Sequence, residues 1–230
     1  LASGDFRVEA CEKQFYYDFG LKIKDKPLEF TGKIDRIDSC GELVRVIDYK
    51  TGSREFDYGK IAAGLNLQLP LYLMSASEGR RPAGAYYLRC HDKITDAETG
   101  VRVRDRRLDG ITNSAPDVIK ATDRALYADM CGRSSVARLK LNKNSTESGL
   151  DFDSRSSLVV SDEEFAGLFR FVRKKVKESF EGITGGDISK RPYEGSCDYC
   201  DYAGLCTFPE QGGEFRKTKK TDITEIIGEK

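Results

Sequence analysis

Apolar and polar positions alternate from the start of the chain. Phe6, Val8 and Ala10 are spaced by Arg7, Glu9 and Cys11, and an aromatic-rich run follows to Phe19, so residues 6–19 read as extended. Asp25-Lys26-Pro27 reads as a turn. Residues 28–37 and 43–49 read as two strands, joined by a hairpin turn at 39–42 around Gly41. After Thr51-Gly52-Ser53 the period changes. Ile61, Leu65, Leu69 and Leu73 recur every fourth residue, which predicts one helix from a cap at Asp57 to about Ser77, bent at Pro70. Residues 84–91 read as a tyrosine-rich strand, 101–109 as a further strand or exposed ribbon, and 116–131 as a helix. The polar stretch 142–157 reads as a mobile loop. Ser161 and Glu164 form a capping box ahead of Phe165, Leu168, Phe169, Val172, Val176 and Phe180, predicting a helix to Gly182. Residues 213–230 are charged and weakly patterned, and read as a flexible tail. Strands interleaved with helices, and no internal repeat, predict an α/β (α+β) fold.

Composition narrows the class. The chain has 230 residues, 39% hydrophobic and 33% charged, with a formal net charge of zero. That excludes a general electrostatic grip on nucleic acid but leaves room for a local basic groove. No apolar run approaches the roughly 18 residues of a membrane span, and no signal peptide is visible. The seven cysteines are too sparse for a secreted disulfide scaffold, so a reducing, cytoplasmic setting is expected. The chain opens without methionine and enters a strand almost at once, which reads as a piece of a longer protein.

Two features carry chemistry. In the hairpin 31–52, Asp35 and Asp48 interrupt otherwise apolar strands, between Ile34 and Ile37 and beside Val46 and Ile47. Two buried carboxylates repel unless a cation lies between them. Mg²⁺ suits such a pair, because it takes oxygen ligands and keeps several waters. Lys50 is two residues beyond Asp48 and so points to the same sheet face. An ammonium there can orient a metal-bound water and face a phosphate. Gln68 and Tyr72, four apart, share one face of the following helix and can hold the water, the lysine or a phosphate oxygen. Asp38, in the same hairpin, reads as solvated surface, and Arg36, Arg54 and Lys60 are candidate phosphate contacts.

The second feature is "CDYCDYAGLC", a C-x₂-C-x₅-C arrangement of Cys197, Cys200 and Cys206. It suits Zn²⁺ or an iron–sulfur cluster, both of which need a fourth ligand. His91, the only histidine, lies in a distant strand, so a zinc site would require Cys11, Cys40, Cys90 or Cys131.

The segments "GKIDRID", "VIDYKTG" and "GLNLQLPLYL", in the spacing D-x₁₂-D-x-K-x₁₇-Q-x₃-Y, resemble the motifs of the PD-(D/E)XK nuclease superfamily in its RecB-like form. The resemblance implies a restriction-endonuclease-like core, a central mixed sheet flanked by helices, with a C-terminal cysteine-rich segment. It makes Asp35 and Asp48 ligands of Mg²⁺ or Mn²⁺, Lys50 the catalytic lysine, and Gln68 and Tyr72 members of the helix motif. "GDISKRPYEGSCDYCDYAGLC" is similar to the C-terminus of AddB-type subunits of bacterial ATP-dependent helicase–nucleases. In that family the late cysteine triad joins a distant upstream cysteine on a [4Fe–4S] cluster. Here that upstream motif is absent, and Cys11 stands in what resembles the strand before the first catalytic acid. On this resemblance residues 1–212 form a RecB-like nuclease domain, with core motifs at 28–91 and the cysteine motif at 197–206.

The implied function is Mg²⁺-dependent exonucleolytic hydrolysis of DNA within a helicase–nuclease complex that processes double-strand ends for recombinational repair. The expected partners are single-stranded DNA and an AddA-type subunit, without a membrane. The family's further acid or histidine should lie upstream, with Glu9 and Glu12 the available carboxylates. The fragment is therefore expected to cleave weakly or not at all and to lack an intact cluster. The alternatives are a catalytically incomplete scaffold that binds DNA or its partner subunit, and a zinc-stabilised interaction domain.

Overall fold

The computed structural model describes residues 3–23, 25–52, 55–90, 107–198, 200–206, 208 and 213–228. Five strands form most of one sheet: β1 (Arg7–Ile23), β2 (Lys26–Cys40), β3 (Leu43–Lys50), β4 (Arg81–Arg89) and β5 (Asp109–Asn113). The helices are α1 (Tyr58–Ala62), α2 (Gln68–Ala76), α3 (Pro116–Thr122), α4 (Arg124–Asp129), α5 (Asp162–Thr184) and α6 (Ile223–Gly228). Two short strands, β6 (Gly132–Arg133) and β7 (Lys140–Leu141), pair with each other, and β8 (Val159–Val160) completes the main sheet. The sheet order is β1-β2-β3-β4-β5-β8. β1, β2 and β3 are successively antiparallel, β3 and β4 are parallel, β4 and β5 antiparallel, and β5 and β8 parallel. This is the expected mixed sheet flanked by helices.

Alternation assigns the layers. Val44 and Val46 of β3 pack with Ile37 of β2, Leu69 and Leu73 of α2, and Phe165 and Leu168 of α5. Leu43 and Ile47, from the other face of β3, pack among residues of α3 and α4 and the loops after β5. Truncating a core leucine such as Leu69 costs about 2–5 kcal/mol in sites of this kind. The hairpin turn falls at Gly41, whose φ of 57° is in the left-handed region glycine tolerates. α5 starts at the expected capping box: the Glu164 amide donates to Ser161 Oγ, and the Ser161 amide to Glu164 Oε2.

The structure corrects several expectations. The helix predicted over 57–77 is two helices. Asp57 does cap the first, accepting from the Gly59 and Lys60 amides. Gly64 and Asn66 then take positive φ, 78° and 54°, and the chain restarts at α2. Pro70 falls in the first turn of α2, where its missing N–H leaves no bond unmade, so it bends nothing.

The helix predicted over 116–131 also divides, at Asp123, which is extended (φ −150°) and 1% exposed. Its carboxylate accepts from the Leu126 and Ser135 amides and the Ser134 hydroxyl, partners a helical residue could not gather. The stretch 142–157 is cross-linked rather than loose. The Asn142 amide donates to the Asp151 carbonyl, Thr146 and Gly149 exchange backbone bonds, and Phe152 packs on the core.

The expected flexible tail docks. Ile226 of α6 is 1% exposed, and a Cβ at Gly167 of α5 would lie 2.5 Å from Ile227, so α6 sits directly on the α5 backbone. His91, Arg54 and most of the ribbon expected at 101–109 lie outside the described residues.

Candidate active site

The site is built by alternation on β2 and β3 and by one face of α2. The β2–β3 ladder pairs Cys40 with Leu43 through Arg36 with Ile47, setting Ile37 opposite Val46. Ile37 and Val46 face α2, so Asp48, two residues beyond Val46, shares that face, and Asp35 comes one residue before the last paired residue of β2, Arg36. Lys50, two beyond Asp48, is on the same face as Asp48. Just past the last ladder pair, the Tyr49 amide donates to Asp35 Oδ2 at 2.9 Å, which fixes that carboxylate against β3. Asp35 is half-buried and Asp48 is 1% exposed.

Lys50 links the strand to the helix. Its Nζ is 2.5 Å from Asp48 Oδ2 and donates to Gln68 Oε1 at 3.4 Å. Gln68 Nε2 donates in turn to the Tyr72 hydroxyl at 2.8 Å. Tyr72 is buried, with Phe15 of β1 edge-on to its ring at a centroid distance of 5.3 Å. Tyr87 of β4, paired with Asp48, lies beneath the Lys50 ammonium at 5.8 Å. Of the five residues singled out in the sequence, Asp48, Lys50, Gln68 and Tyr72 are thus linked by side-chain contacts, and Asp35 is tied to the same strand through the Tyr49 amide.

The donor set fits a hard divalent cation. Two carboxylates come from adjacent strands, and the buried one, Asp48, is already paired with the Lys50 ammonium. Mg²⁺ is characteristically held by one or two carboxylates, with waters and phosphate oxygens completing the shell. Among the described residues no group of three or more His, Cys, Asp or Glu side chains is gathered to hold a metal.

Cys197, Cys200 and Cys206 lie half-exposed on a run of turns and are not gathered into a ligand cluster. Cys11 is exposed on β1, paired with Arg36. Glu9 is engaged by Arg80, whose hydrogen bond holds its carboxyl below the usual range, and Glu12 by Lys33.

Two further assignments change. Asp38, expected on the surface, is 0% exposed. Its carboxylate accepts from Arg36 Nε and Nη2 and from Arg45 Nε and Nη2, at 2.6 to 3.0 Å, and the Arg45 guanidinium lies over the Phe6 ring at 4.3 Å. Alternation places this network on the face opposite Asp48. Arg36 is therefore a structural partner and not a phosphate contact; the Asp38 carboxylate pushes its guanidinium pKa up. Lys60 is exposed and lines a cleft of about 770 Å³ with Glu55, Asp57, Tyr58 and Asn66.

Sequence reading missed Arg89 and Arg138. Arg89 pairs in register with Lys50, and its side chain reaches Glu55 and Asp109, as does that of Arg138. The only signal was a charge two residues beyond Tyr87 in an otherwise apolar strand.

A mixed sheet with an acid on each of two adjacent strands, and an acid-x-lysine ending the central one, defines a class of nuclease core. The chain belongs to the PD-(D/E)XK nuclease superfamily, whose sequence model matches residues 1–207. It is similar to the B subunit of the ATP-dependent helicase/deoxyribonuclease of several bacteria. It is 31% identical to that of Caldanaerobacter subterraneus subsp. tengcongensis, over 92% of this chain and 20% of that protein. It is 29% identical to that of Clostridium tetani, over 99% of this chain and 22% of that protein. It is 31% identical to that of Symbiobacterium thermophilum, over 97% and 21% respectively. The chain thus spans about a fifth of the length of these curated relatives. Among the described residues no helix is long and apolar enough to cross a membrane.

Proposed function

We propose that this chain is the nuclease domain of a helicase–nuclease B subunit, which hydrolyses phosphodiester bonds of single-stranded DNA as an exonuclease during end processing for recombinational repair. The observation that carries this reading is the continuous contact from Asp48 through Lys50 and Gln68 to Tyr72, with Asp35 held by the Tyr49 amide between Asp48 and Lys50.

Asp35 and Asp48 would hold Mg²⁺ or Mn²⁺. When bound, the cation supplies positive charge to the scissile phosphate and lowers the pKa of a coordinated water. Lys50 is positioned by its carboxylate neighbour on one side and by Gln68 on the other, so its ammonium can orient the attacking water and face the phosphate. Gln68 keeps the lysine in place because its own amide is tied to the Tyr72 hydroxyl. The Tyr49 amide fixes Asp35, so the first acid is pre-oriented before substrate arrives. The relatives' name supports an ATP-driven helicase of AddA type as partner. As it stands, the cysteine triad takes part in no step.

The test is release of acid-soluble nucleotide from single-stranded DNA with Mg²⁺ or Mn²⁺. Cleavage that disappears in a folded Asp48→Ala variant supports the reading. A folded chain that binds DNA and cuts none would leave the non-catalytic scaffold in its place.

A further inference from the structure

Beside the site lies a group of arginines that the proposed chemistry does not use. Tyr87 pairs with Asp48 on one side and with Asp109 of β5 on the other. Ile111 packs with the α2 face, so Asp109, two residues earlier, lies on that face as well. Leu88 packs with the opposite layer, which puts Arg89 on the site's face next to Lys50. Two strand spacings separate Asp109 from Asp48, roughly 10 Å. Directly over Asp109 is a cavity of about 190 Å³ lined by Glu55, Arg138, Arg155, Ser154 and Ser156 among others.

The ion pairs there are mostly long. Arg138 is 2.9 Å from Asp109, but Arg89 is 4.0 Å from Asp109 and 3.7 Å from Glu55, and Arg138 is 3.8 Å from Glu55. The side chains of Arg89 and Arg138 are 37% and 45% exposed, and Arg155 is exposed at the rim. Exposed pairs of this length add little stability. Asp109 and Glu55 hold Arg89 and Arg138 in place, and with Arg155 at the rim the three guanidiniums leave a net positive charge. A guanidinium fork matches the oxygens of a phosphodiester in bidentate fashion. The serine hydroxyls add neutral donors.

We propose that Arg89, Arg138 and Arg155 form a second phosphate subsite that grips the backbone of single-stranded DNA at a phosphate neighbouring the one to be cut. This rests on the nuclease reading above and extends it: the subsite sets the direction in which the strand crosses the sheet edge, from Lys50 toward β5. Contacts to phosphate position a strand without reading its sequence, so the grip is indifferent to base.

The experiment separates the subsite from the chemistry. Binding of a fluorescein-labelled oligothymidylate to the whole chain is measured in Ca²⁺ over a salt series, with Arg138→Gln and the more exposed Arg155→Gln compared with the parent. Each substitution is expected to reduce the slope of log K against log salt by about 0.7, the single-strand value per phosphate contact. In Mg²⁺, the KM for the oligonucleotide is expected to rise relative to that for bis(p-nitrophenyl) phosphate, which has one diester and cannot span the two positions. An unaltered salt slope in both variants, or no measurable oligonucleotide binding by the parent, overturns the subsite. A parent chain that hydrolyses neither substrate overturns the nuclease reading, while the binding slopes still decide the subsite.

Discussion

On one face of the β2–β3 hairpin, Asp48 (1% exposed) stands beside Lys50; on the other, Asp38 (0% exposed) stands between Arg36 and Arg45. Both are buried acids with basic neighbours, yet their surroundings differ in kind. Asp38 receives four N–H bonds from two planar guanidiniums, and Arg45 is further fixed over Phe6. Such a carboxylate has no capacity left for a ligand, and its worth lies in holding the hairpin against the α3–α4 layer. The lysine beside Asp48 ends in a single rotatable ammonium, one-fifth exposed, that also reaches Gln68. An ammonium on a flexible stem can shift when a cation or phosphate arrives; a locked guanidinium pair cannot. Burial of an acid therefore does not mark a reactive site. The rigidity and number of its donors do.

The largest expected effect is on the reactive face. Asp48→Asn should lower Mg²⁺-dependent DNA hydrolysis by about 10³-fold or more, the scale of removing a preorganised electrostatic group. Its melting temperature should stay close to the parent's, and residual activity near the parental rate would erase the contrast between the faces. Next comes the opposite face. Asp38→Ala should cost about 3–5 kcal/mol in urea denaturation, because Arg45 is left buried without its partner. Turnover per folded molecule should persist. Combining Asp38→Leu with Arg45→Met should recover much of that loss, since a well-packed apolar pair is often as stable as a buried ion pair.

A smaller effect sharpens the comparison within the site. Gln68→Ala frees the Lys50 ammonium from its helix anchor and should reduce kcat about 10–100-fold, as loss of an outer positioning contact does. Tyr72→Phe should fall between this variant and the parent, and both are checked by steady-state cleavage. The smallest effect comes from an exposed counterpart of the Asp38 network. The hydrogen bond from Lys140, with help from Ser156, lowers the Asp153 carboxyl from its ordinary 3.8 to about 2. The folded value lies below the unfolded one, so its stabilisation is complete above about pH 4 and fades as pH falls through about 2. Asp153→Asn should flatten the acid limb of the stability curve in that window, by far less than Asp38→Ala costs at neutral pH. Urea midpoints taken across the pH range would show it.

Much of the site was readable because its logic is local. The turn at Gly41, the cap at Asp57, the capping box at Ser161 and Glu164, and the i, i+2 and i, i+4 spacings of Asp48–Lys50 and Gln68–Tyr72 each depend on a few neighbouring residues. The helix breaks were not readable. Nothing in the four-residue period around Leu65 shows that Gly64 and Asn66 turn left-handed, and nothing near Asp123 shows that Ser134 and Ser135 return to occupy its carboxylate. The tail misled for the same reason: its few apolar residues are too sparse to pattern, yet Gly59 and Gly167 leave room for its backbone and Ile227.

By itself, then, the sequence determined the family, the main strands of the core, and the local pairings of Asp48 with Lys50 and of Gln68 with Tyr72, since alternation and helical spacing are properties of the chain. Tertiary structure alone decided which buried acid is locked in a guanidinium network, where the helices divide, and that Arg89 stands beside Lys50 while Arg138 shares Asp109 and Glu55 with it. Those outcomes depend on groups far apart in sequence competing for one carboxylate or one gap, and a competition of that kind is settled only by packing.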